Sequence, residues 1–495
     1  MMRALILLHR WLGVAFCLLF AMWFVTGIVM HFVPFPRLTE AERFAGLAQL
    51  DLARVRHGPA EAVRASGITD ATRVRLFERN GPLYVVSGAS TTVALGADDL
   101  AAGAIGSTQS ALAVANDQAR RRGLGAAKPG SIRSIPYDQW TLSADFDVHR
   151  PLYRVALDDD RGTVLYLSSA TGEVVLDTTR RERAWNYLGS VAHWIYPTAL
   201  RSHPAIWTLL VSWLAFLAFL GATFGVVVGV SQIKVVAPRP ASPHQGAKAW
   251  HHWLGLIFAP FVLAWIFSGW LSMDHGWLFS TGEPSATEQA AVTGMPSWDA
   301  LAAGEVERIA SPALEVEWFA FGGRIFRRER IAFDRQRLFL AGTVASTTTP
   351  DRAFLHGDEI AAAASVLGSA CRAPAAVDPG DLYVSGTLMP GARLFRVVCG
   401  DDWFDIDASS GELLEKFDQS RRLYRWLFHA LHTLDFPVLT ARPVLRSVLI
   451  VVFCLCGLAF SVTGVVIGWR RSIVALSILR RPQRRGGNTE SPGPE

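Results

Sequence analysis

The sequence predicts a membrane protein: a four-helix transmembrane bundle built from a tandem repeat, with two α+β lobes outside the membrane. Three observations support this fold class. The chain of 495 residues is 51% hydrophobic and only 18% charged, which is too apolar for a soluble enzyme. It contains four long apolar runs without charged residues, and several motifs recur at constant offsets along the chain.

The four apolar runs cover residues 11–30, 205–230, 253–273 and 447–469. Each has about the 20 residues needed to cross a hydrocarbon core of about 30 Å, so each is predicted to be a transmembrane helix. The first run follows the N-terminus like a signal sequence, but it is too long for one and no small-residue cleavage site follows it. We therefore expect it to be retained as an anchor.

Basic residues flank the apolar runs on one side, which predicts the orientation of the chain. They precede the first run, lie between the second and third, and follow the fourth: Arg3, Arg10, Lys234, Arg239, Lys248, Arg470, Arg471, Arg480, Arg481, Arg484 and Arg485. Both termini are therefore expected in the cytoplasm, with the two lobes on the periplasmic or extracytoplasmic side. Cys371 and Cys399 would lie there, in an oxidising compartment, and form a candidate disulfide.

The predicted domain boundaries follow from these runs. They are transmembrane helix 1 (1–34), lobe 1 (35–185), an interfacial helix with transmembrane helix 2 (186–232), a cytoplasmic linker (233–250), transmembrane helix 3 (251–274), lobe 2 (275–422), an interfacial helix with transmembrane helix 4 (423–472), and a cytoplasmic tail (473–495). Both lobes are expected to combine short strands, such as residues 153–157 and 163–167, with helices such as 109–122. The polar end of the tail, from residue 482, is expected to be disordered.

The chain is predicted to be a tandem repeat of one unit, consisting of a span, a lobe and a second span. The motif HRWLG at residues 9–13 opens the first span, and HHWLG at residues 251–255 opens the third, at an offset of 242. Further pairs at an offset of 242 or 239 are Thr26 and Ser268, Gly27 and Gly269, His193 and His432, and Gly225 and Gly464. Because each unit crosses the membrane twice, both halves are expected to have the same orientation.

Histidines cluster at the ends of the predicted spans and in the helices that lead into them. They are His9, His31, His193, His251, His252, His275, His429 and His432. Ionisable residues at membrane depth usually face the bundle interior and carry function, and imidazole is a common axial ligand of haem. A histidine at a membrane face is also often a plain interfacial residue. The recurrence of histidine at equivalent positions of the two halves favours ligation over that alternative.

Helix geometry divides these histidines into two tiers. His9 and His31 are 22 residues apart, about 33 Å along a helix that rises 1.5 Å per residue, so they lie at opposite membrane faces. The inner tier contains His9, His251 and His252, and the outer tier contains His31, His193, His275, His429 and His432. Two tiers would suit two haems and electron transfer across the membrane.

We expect ligation of haem iron through His9, His193, His252 and His432. His251 and His252 point about 100° apart on a helix, so only one of them is expected to be a ligand. His429 and His432 share a helix face, which permits one ligand and one supporting residue.

Two arginines near the outer tier are candidates for binding the haem propionates. Arg201 and Arg442 lie close to the helices that carry His193 and His432. A guanidinium group suits this role because it can donate two parallel hydrogen bonds to one carboxylate.

The composition also excludes several partners and cofactors. The net charge of +5 comes from scattered arginines without a basic stripe, so the expected partner is the lipid bilayer and not a nucleic acid. Five cysteines without a CxxC motif exclude c-type haem attachment and a thioredoxin-like site. No GxGxxG motif follows a strand, so we expect quinol or a cytoplasmic reductase as the electron donor.

The chain resembles the PepSY-associated transmembrane family over nearly its whole length. The resemblance rests on HRWLG at residues 9–13, on Tyr-Arg-Val followed by Thr-Gly-Glu-Val at residues 153–174, and on His193 before a Gly-Val-Val span. Members of this family are bacterial inner-membrane proteins with periplasmic PepSY-like lobes, often linked to iron-siderophore uptake. The resemblance implies haem b, with two haems for the two tiers, and reduction of ferric iron. It places the family histidines at His9, His251, His193 and His432.

The leading hypothesis is therefore an inner-membrane oxidoreductase that passes electrons to periplasmic ferric iron bound by a siderophore or another chelator. Such a protein would be a ferric-siderophore, or ferric-chelate, reductase. The alternative is a membrane-anchored PepSY protein that binds a peptide or protease, or regulates one, without redox activity. A transporter of iron chelates is less favoured, because the sequence predicts neither interior charges nor broken helices in the spans.

Overall fold

The computed structural model describes residues 1–236, 239–273, 277–301, 304–309, 312–342, 352–368, 370–378, 380–384 and 393–479. Its α-helices within these ranges are α1 (Met2–Phe32), α2 (Glu40–Gly46), α3 (Pro59–Ser66), α4 (Thr108–Arg121), α5 (Arg180–Asn186), α6 (Thr198–Arg201), α7 (Pro204–Ser231), α8 (Ala247–Ile257), α9 (Ala259–Leu271), α10 (Ala286–Thr293), α11 (Gly357–Ala364), α12 (Gln419–Arg425), α13 (Leu431–Thr433), α14 (Pro437–Thr440) and α15 (Pro443–Leu479).

The strands are short and belong mostly to the parts of the chain predicted as lobes. They are β1 (Arg73–Glu78), β2 (Pro82–Ser87), β3 (Thr92–Gly96), β4 (Arg133–Ile135), β5 (Leu152–Ala156), β6 (Val164–Ser168), β7 (Val174–Thr178), β8 (Lys234–Val236), β9 (Arg239–Ala241), β10 (Glu315–Phe321), β11 (Arg324–Ala332), β12 (Arg335–Leu340), β13 (Ala375–Ala376), β14 (Leu394–Cys399), β15 (Asp402–Asp407) and β16 (Glu412–Phe417).

Helices α1, α7 and α15 are each long and apolar enough to span a membrane. They are longer than the apolar runs that predicted them, and α15 continues to Leu479, beyond the predicted start of the tail at 473. The predicted disordered segment from residue 482 lies outside the described residues. Helix α1 packs against α7 and α15, and α7 packs against α9. The shared core contains Phe16, Phe24, Ala218, Val262 and Ile450.

The third predicted span is a bent pair of helices, so the expectation of one continuous helix at 253–273 is wrong. Helices α8 and α9 meet at Phe258 with a bend of 69°. The cause is Pro260, which has no N–H to donate to the Leu256 carbonyl and whose ring clashes with that carbonyl in a straight helix. Among the described residues, the chain therefore has three spanning helices, or four if the bent pair crosses as one.

The two parts of the chain predicted as separate lobes share one six-stranded antiparallel sheet. Its strand order is β12-β11-β10-β1-β2-β3. Strand β1 comes from the first part and pairs along its length with β10 from the second, with Arg75 opposite Glu317. The two segments predicted as lobes, 35–185 and 275–422, are therefore joined by the central pairing of this sheet.

Two smaller antiparallel sheets flank the shared one, with the orders β4-β5-β6-β7 and β13-β14-β15-β16. Helix α4 packs on the first of these through Ala111, Val114 and Ala115. The strands and helix predicted at 153–157, 163–167 and 109–122 are confirmed within one residue or two. The α+β character predicted for these regions is thus confirmed as well.

Each small sheet leads into a π-helical turn before the next membrane segment. These turns are Tyr187–Val191 and Trp426–Ala430, and π-helical turns are frequent at functional sites. The candidate disulfide between Cys371 and Cys399 is present.

Candidate functional site

One pair of histidines joins the start of α1 to α8. The ring centroids of His9 and His251 lie 6.3 Å apart, with 33° between the ring planes. Nδ1 of His9 lies 3.0 Å from the Gly221 carbonyl oxygen. Nδ1 of His251 lies 3.0 Å from Oγ1 of Thr463. Each ring is therefore held by the second helix of its own half of the chain, α7 or α15.

A second pair joins the segments that precede α7 and α15. The ring centroids of His193 and His432 also lie 6.3 Å apart, with 74° between the planes. Nδ1 of His193 lies 2.9 Å from Oγ1 of Thr26, and Nδ1 of His432 lies 3.0 Å from Oγ of Ser268. Both pairs thus use Nδ1 for a contact with a neighbouring helix.

The tautomer of all four rings follows from the hydrogen-bond network. The Gly221 carbonyl can only accept, so His9 Nδ1 donates to it. The three hydroxyl groups each donate their own proton to a backbone carbonyl, at 2.8 Å for Thr26 to Met22, 3.1 Å for Ser268 to Trp265 and 2.5 Å for Thr463 to Phe460. Their oxygens are then left to accept from Nδ1–H of the histidines. With the proton on Nδ1, the lone pair of every ring is on Nε2.

None of these four Nε2 atoms has a hydrogen-bond partner among the described residues. Metal-binding histidines have this arrangement, in which one ring nitrogen donates to a supporting group and the other binds the metal. Two imidazoles on opposite sides of one metal ion, with bonds of about 2 Å, have ring centroids about 6 Å apart. The spacing of both pairs matches this value.

The described residues contain no group of three or more His, Cys, Asp or Glu side chains that could hold a metal ion. Each histidine pair therefore offers two candidate nitrogen ligands, without a third His, Cys, Asp or Glu ligand among the described residues. A metal ion bound there needs its other ligands from a group that it brings with it. A planar macrocycle that carries its own metal fits this requirement.

Glycines provide the close approach of each histidine to its neighbouring helix. A Cβ on Gly225 would lie 2.5 Å from Cε1 of His9, a distance at which the ring has to move. The corresponding distances at Gly27, Gly269 and Gly464 are 3.7, 3.4 and 3.5 Å from Cε1 of the histidines that they face. Gly225 is therefore the position with the least space.

The His9–His251 pair lines a cavity of about 300 Å³, within the usual range for small-molecule sites. The cavity is bordered by seven glycines: Gly13, Gly221, Gly225, Gly229, Gly255, Gly464 and Gly468. These glycines lie on four different helices and leave room between them for a ligand.

The remaining predicted histidines take other positions. Both ring nitrogens of His252 are engaged, Nδ1 with Ser242 Oγ at 2.9 Å and Nε2 with the Gly229 carbonyl at 2.8 Å. His251, and not His252, therefore faces His9. Nε2 of His31 contacts Oγ of Ser447 at 2.8 Å.

His429 packs its ring against Tyr424 and Phe428, with centroid distances of 5.9 and 4.8 Å. It has no side-chain hydrogen bond among the described residues and lies one helical turn before His432. His275 lies outside the described residues.

The two predicted arginines have no acidic partner among the described residues. Arg201 stacks on the rings of Tyr196 and Trp207, at 5.3 and 4.9 Å, and its buried Nε has no hydrogen-bond partner. Arg442 is exposed at the start of α15. Both are available to an anionic group.

The sequence reasoning missed the supporting residues of the histidines. Thr26, Ser268 and Thr463 accept the Nδ1 hydrogen bonds. The sequence does mark the first two of these residues, because Thr26-Gly27 and Ser268-Gly269 recur at an offset of 242.

Charged residues of the sheet region form a separate buried network. Glu315 accepts hydrogen bonds from Arg43 at 2.7 and 3.0 Å and lies 3.4 Å from Arg75. Glu317 is paired with Arg73 and Arg328. Burial by itself raises the pKa of both glutamates, but the guanidinium groups outweigh it. The pKa of Glu315 falls well below its usual range, and that of Glu317 falls to about 2.

This network ties the small sheets to the shared one. Arg75 binds both carboxylate oxygens of Glu173, at 2.7 and 2.8 Å, in the turn between β6 and β7. Arg73, two residues earlier, approaches the corresponding turn of the other small sheet at Glu412, at 4.0 Å. The recurring turns of the two halves thus contact neighbouring arginines of β1, and their role is structural.

No curated protein sequence and no solved structure matches the chain. The PepSY-associated TM region family matches residues 6–471, which include both histidine pairs and all the described sheets. The chain therefore belongs to the PepSY-associated TM region family and is a membrane protein.

Proposed function

We propose that this protein is an inner-membrane haem b oxidoreductase that passes electrons across the membrane to periplasmic ferric iron, bound by a siderophore or a similar chelator. One observation carries the proposal. Two pairs of half-buried histidines have ring centroids 6.3 Å apart, with Nδ1 held and Nε2 unpartnered among the described residues. Each pair could supply both histidine ligands of one haem.

The residues that would hold the two haems are His9 with His251, and His193 with His432. A bound haem b supplies reversible one-electron transfer through its iron. The chain fixes the orientation of each imidazole through its Nδ1 hydrogen bond. The cavity at the first pair is lined mostly by apolar side chains and glycines, and Arg201 and Arg442 provide guanidinium groups for carboxylates near the second pair.

The proposed reaction also requires an electron donor, at the opposite end of the electron-transfer path from the ferric iron. Quinol or a cytoplasmic reductase fits, because no nucleotide-binding motif occurs in the sequence. Oxidation of one quinol to quinone releases two electrons and two protons. Two ferric ions are then reduced to ferrous ions, one electron each.

The proposal includes an orientation, with both termini in the cytoplasm and the sheet region in the periplasm. The basic flanks of the spans support it, and so does the Cys371–Cys399 disulfide, which persists in oxidising compartments. We further propose that the two halves are an internal repeat that forms a four-helix bundle. Equivalent contacts support this, since Thr26 bonds His193 in the first half as Ser268 bonds His432 in the second.

Spectroscopy and an iron-reduction assay test the proposed function together. Full-length protein from haem-replete cells is reconstituted into liposomes with quinol, and an external ferric chelate is added with a dye that reports ferrous iron. We expect b-type bands in reduced-minus-oxidised spectra and formation of ferrous iron. The His193→Ala variant should lose the bands of one haem and the reduction of iron.

His203→Ala is the matched control, because His203 is exposed near the same membrane face and bonds only its neighbour Ser202. Its spectrum and rate should equal those of the wild type. A colourless wild-type protein would contradict the proposal and favour a PepSY protein that binds a peptide or protease without redox activity.

A further inference from the structure

Three cations from three helices line the cavity that contains the His9–His251 pair. They are Arg10 on α1, Lys248 on α8 and Arg471 on α15. None of the three has an acidic partner or a side-chain hydrogen bond among the described residues, and all three are exposed. The described lining of the cavity contains no aspartate or glutamate.

Basic residues at this membrane face are expected from the orientation of the chain. That bias explains on which side they lie, but it does not explain why three of them border one cavity. Three positive charges at one cavity without an acidic partner among the described residues create a positive potential there, which favours binding of an anionic group. The rest of the cavity is mostly apolar and rich in glycine, so the ligand that fits it has an apolar body and an anionic edge.

We propose that Arg10, Lys248 and Arg471 bind the carboxylates of the macrocycle held by the His9–His251 pair. This inference rests on the proposed function and adds the residues that recognise the acidic edge of the ligand at the first pair. The carboxylates then lie at the basic mouth of the cavity. Guanidinium and ammonium groups both bind carboxylates through charge-assisted hydrogen bonds.

The test is the rate at which the full-length protein loses haem to excess apomyoglobin, measured for each spectrally resolved haem. In the triple variant Arg10→Gln, Lys248→Gln and Arg471→Gln, we expect one of the two haems to be lost about tenfold faster, at the low end of the effect of removing supporting groups. The second haem should be lost at the wild-type rate. In the wild type, haem dimethyl ester, whose carboxylates are masked, should be lost from the first site as fast as haem is lost from the triple variant.

The control is the triple variant Arg3→Gln, Lys234→Gln and Arg470→Gln. It removes the same charge from the same face of the protein at residues that do not line the cavity. Equal loss rates for the two triple variants would overturn the inference and leave the proposed function intact. Faster loss from the first variant with no effect of esterification would also overturn it, because the cations would then bind another anion, such as phosphate or a lipid headgroup. A wild-type protein without haem would contradict both this inference and the proposed function.

Discussion

The apolar helices and the antiparallel sheets both hold polar side chains between packed elements, but the surroundings of these side chains differ. In the sheet region, Glu315 and Glu317 are almost fully buried, and each carboxylate faces two or more arginines. In the membrane region, the four paired histidines use one ring nitrogen each and leave the other without a described partner. The sheet carboxylates are therefore compensated within the protein, whereas each of these histidines keeps one ring nitrogen available to a ligand, as the proposed haem sites require.

The largest expected effect is on the stability of the sheet region. Glu315→Gln removes the charge that compensates Arg43, Arg75 and Arg330, and breaking a buried ion pair from one side costs about 3–5 kcal/mol. Thermal unfolding in detergent should show this loss. Glu412→Gln is the control, because its side chain is 59% exposed and surface pairs contribute about 0–1 kcal/mol. Equal melting temperatures for both variants would show that the network is not structural.

Gly225, the glycine that faces His9, allows a sharper test among the membrane helices. In Gly225→Ala, the new methyl group would meet Cε1 of His9 at 2.5 Å, so the ring must shift and the haem content should fall. Gly106→Ala is the control, because a Cβ there meets nothing within 4 Å and Gly106 does not line the cavity. The haem-to-protein ratio of purified protein measures both. A normal ratio in Gly225→Ala would mean that the position of the His9 ring is not critical.

A smaller effect is expected from the hydroxyl groups that hold the second pair. Thr26→Val and Ser268→Ala remove the acceptors of the Nδ1 hydrogen bonds, and loss of such supporting groups usually weakens metal binding by about 10–100-fold. The midpoint potential of one haem should shift as well. Ser272→Ala is the control, because Ser272 follows the last residue of α9, is exposed, and its side chain bonds only the Gly269 carbonyl. If the potential stayed unchanged in both variants, the proposed orientation of the rings would be wrong.

The smallest effect at neutral pH is the response of the sheet region to acid. Glu317 has a folded-state pKa of about 2, below the value of about 4.3 for an unfolded glutamate. Its contribution to stability is therefore complete above the unfolded value and is lost as the pH falls through that window toward 2. Unfolding between pH 7 and 5 should be unchanged, and stability should decline below about pH 4. A decline already at pH 6 would contradict the assignment.

The sequence predicts much of this fold because its signals are local. Apolar runs identify α1, α7 and α15, and alternating residues identify β5 and β6. The break between α8 and α9 could also have been predicted, since Pro260 lies in the middle of the third run. The pairing of β1 with β10 could not, because it joins segments about 240 residues apart and side-chain alternation does not specify a partner strand.

The candidate site shows the same limit. The repeat in the sequence identifies His9, His193, His251 and His432 as candidates, since equivalent histidines recur in both halves. The choice between His251 and His252 depends on helix rotation, and only the contacts of His252 with Ser242 and Gly229 resolve it. The hydroxyl and carbonyl groups that accept the Nδ1 hydrogen bonds lie on other helices. The sequence next to each histidine therefore does not identify them.

The most direct test of the two-pair arrangement is the haem-to-protein ratio by the pyridine haemochrome assay. We predict a ratio of two for the wild type, one for His9→Ala, one for His193→Ala and zero for the double variant. His252→Ala should keep a ratio of two, because both of its ring nitrogens already have partners in the protein. A wild type without haem, or His9 and His193 variants with unchanged ratios, would contradict the account.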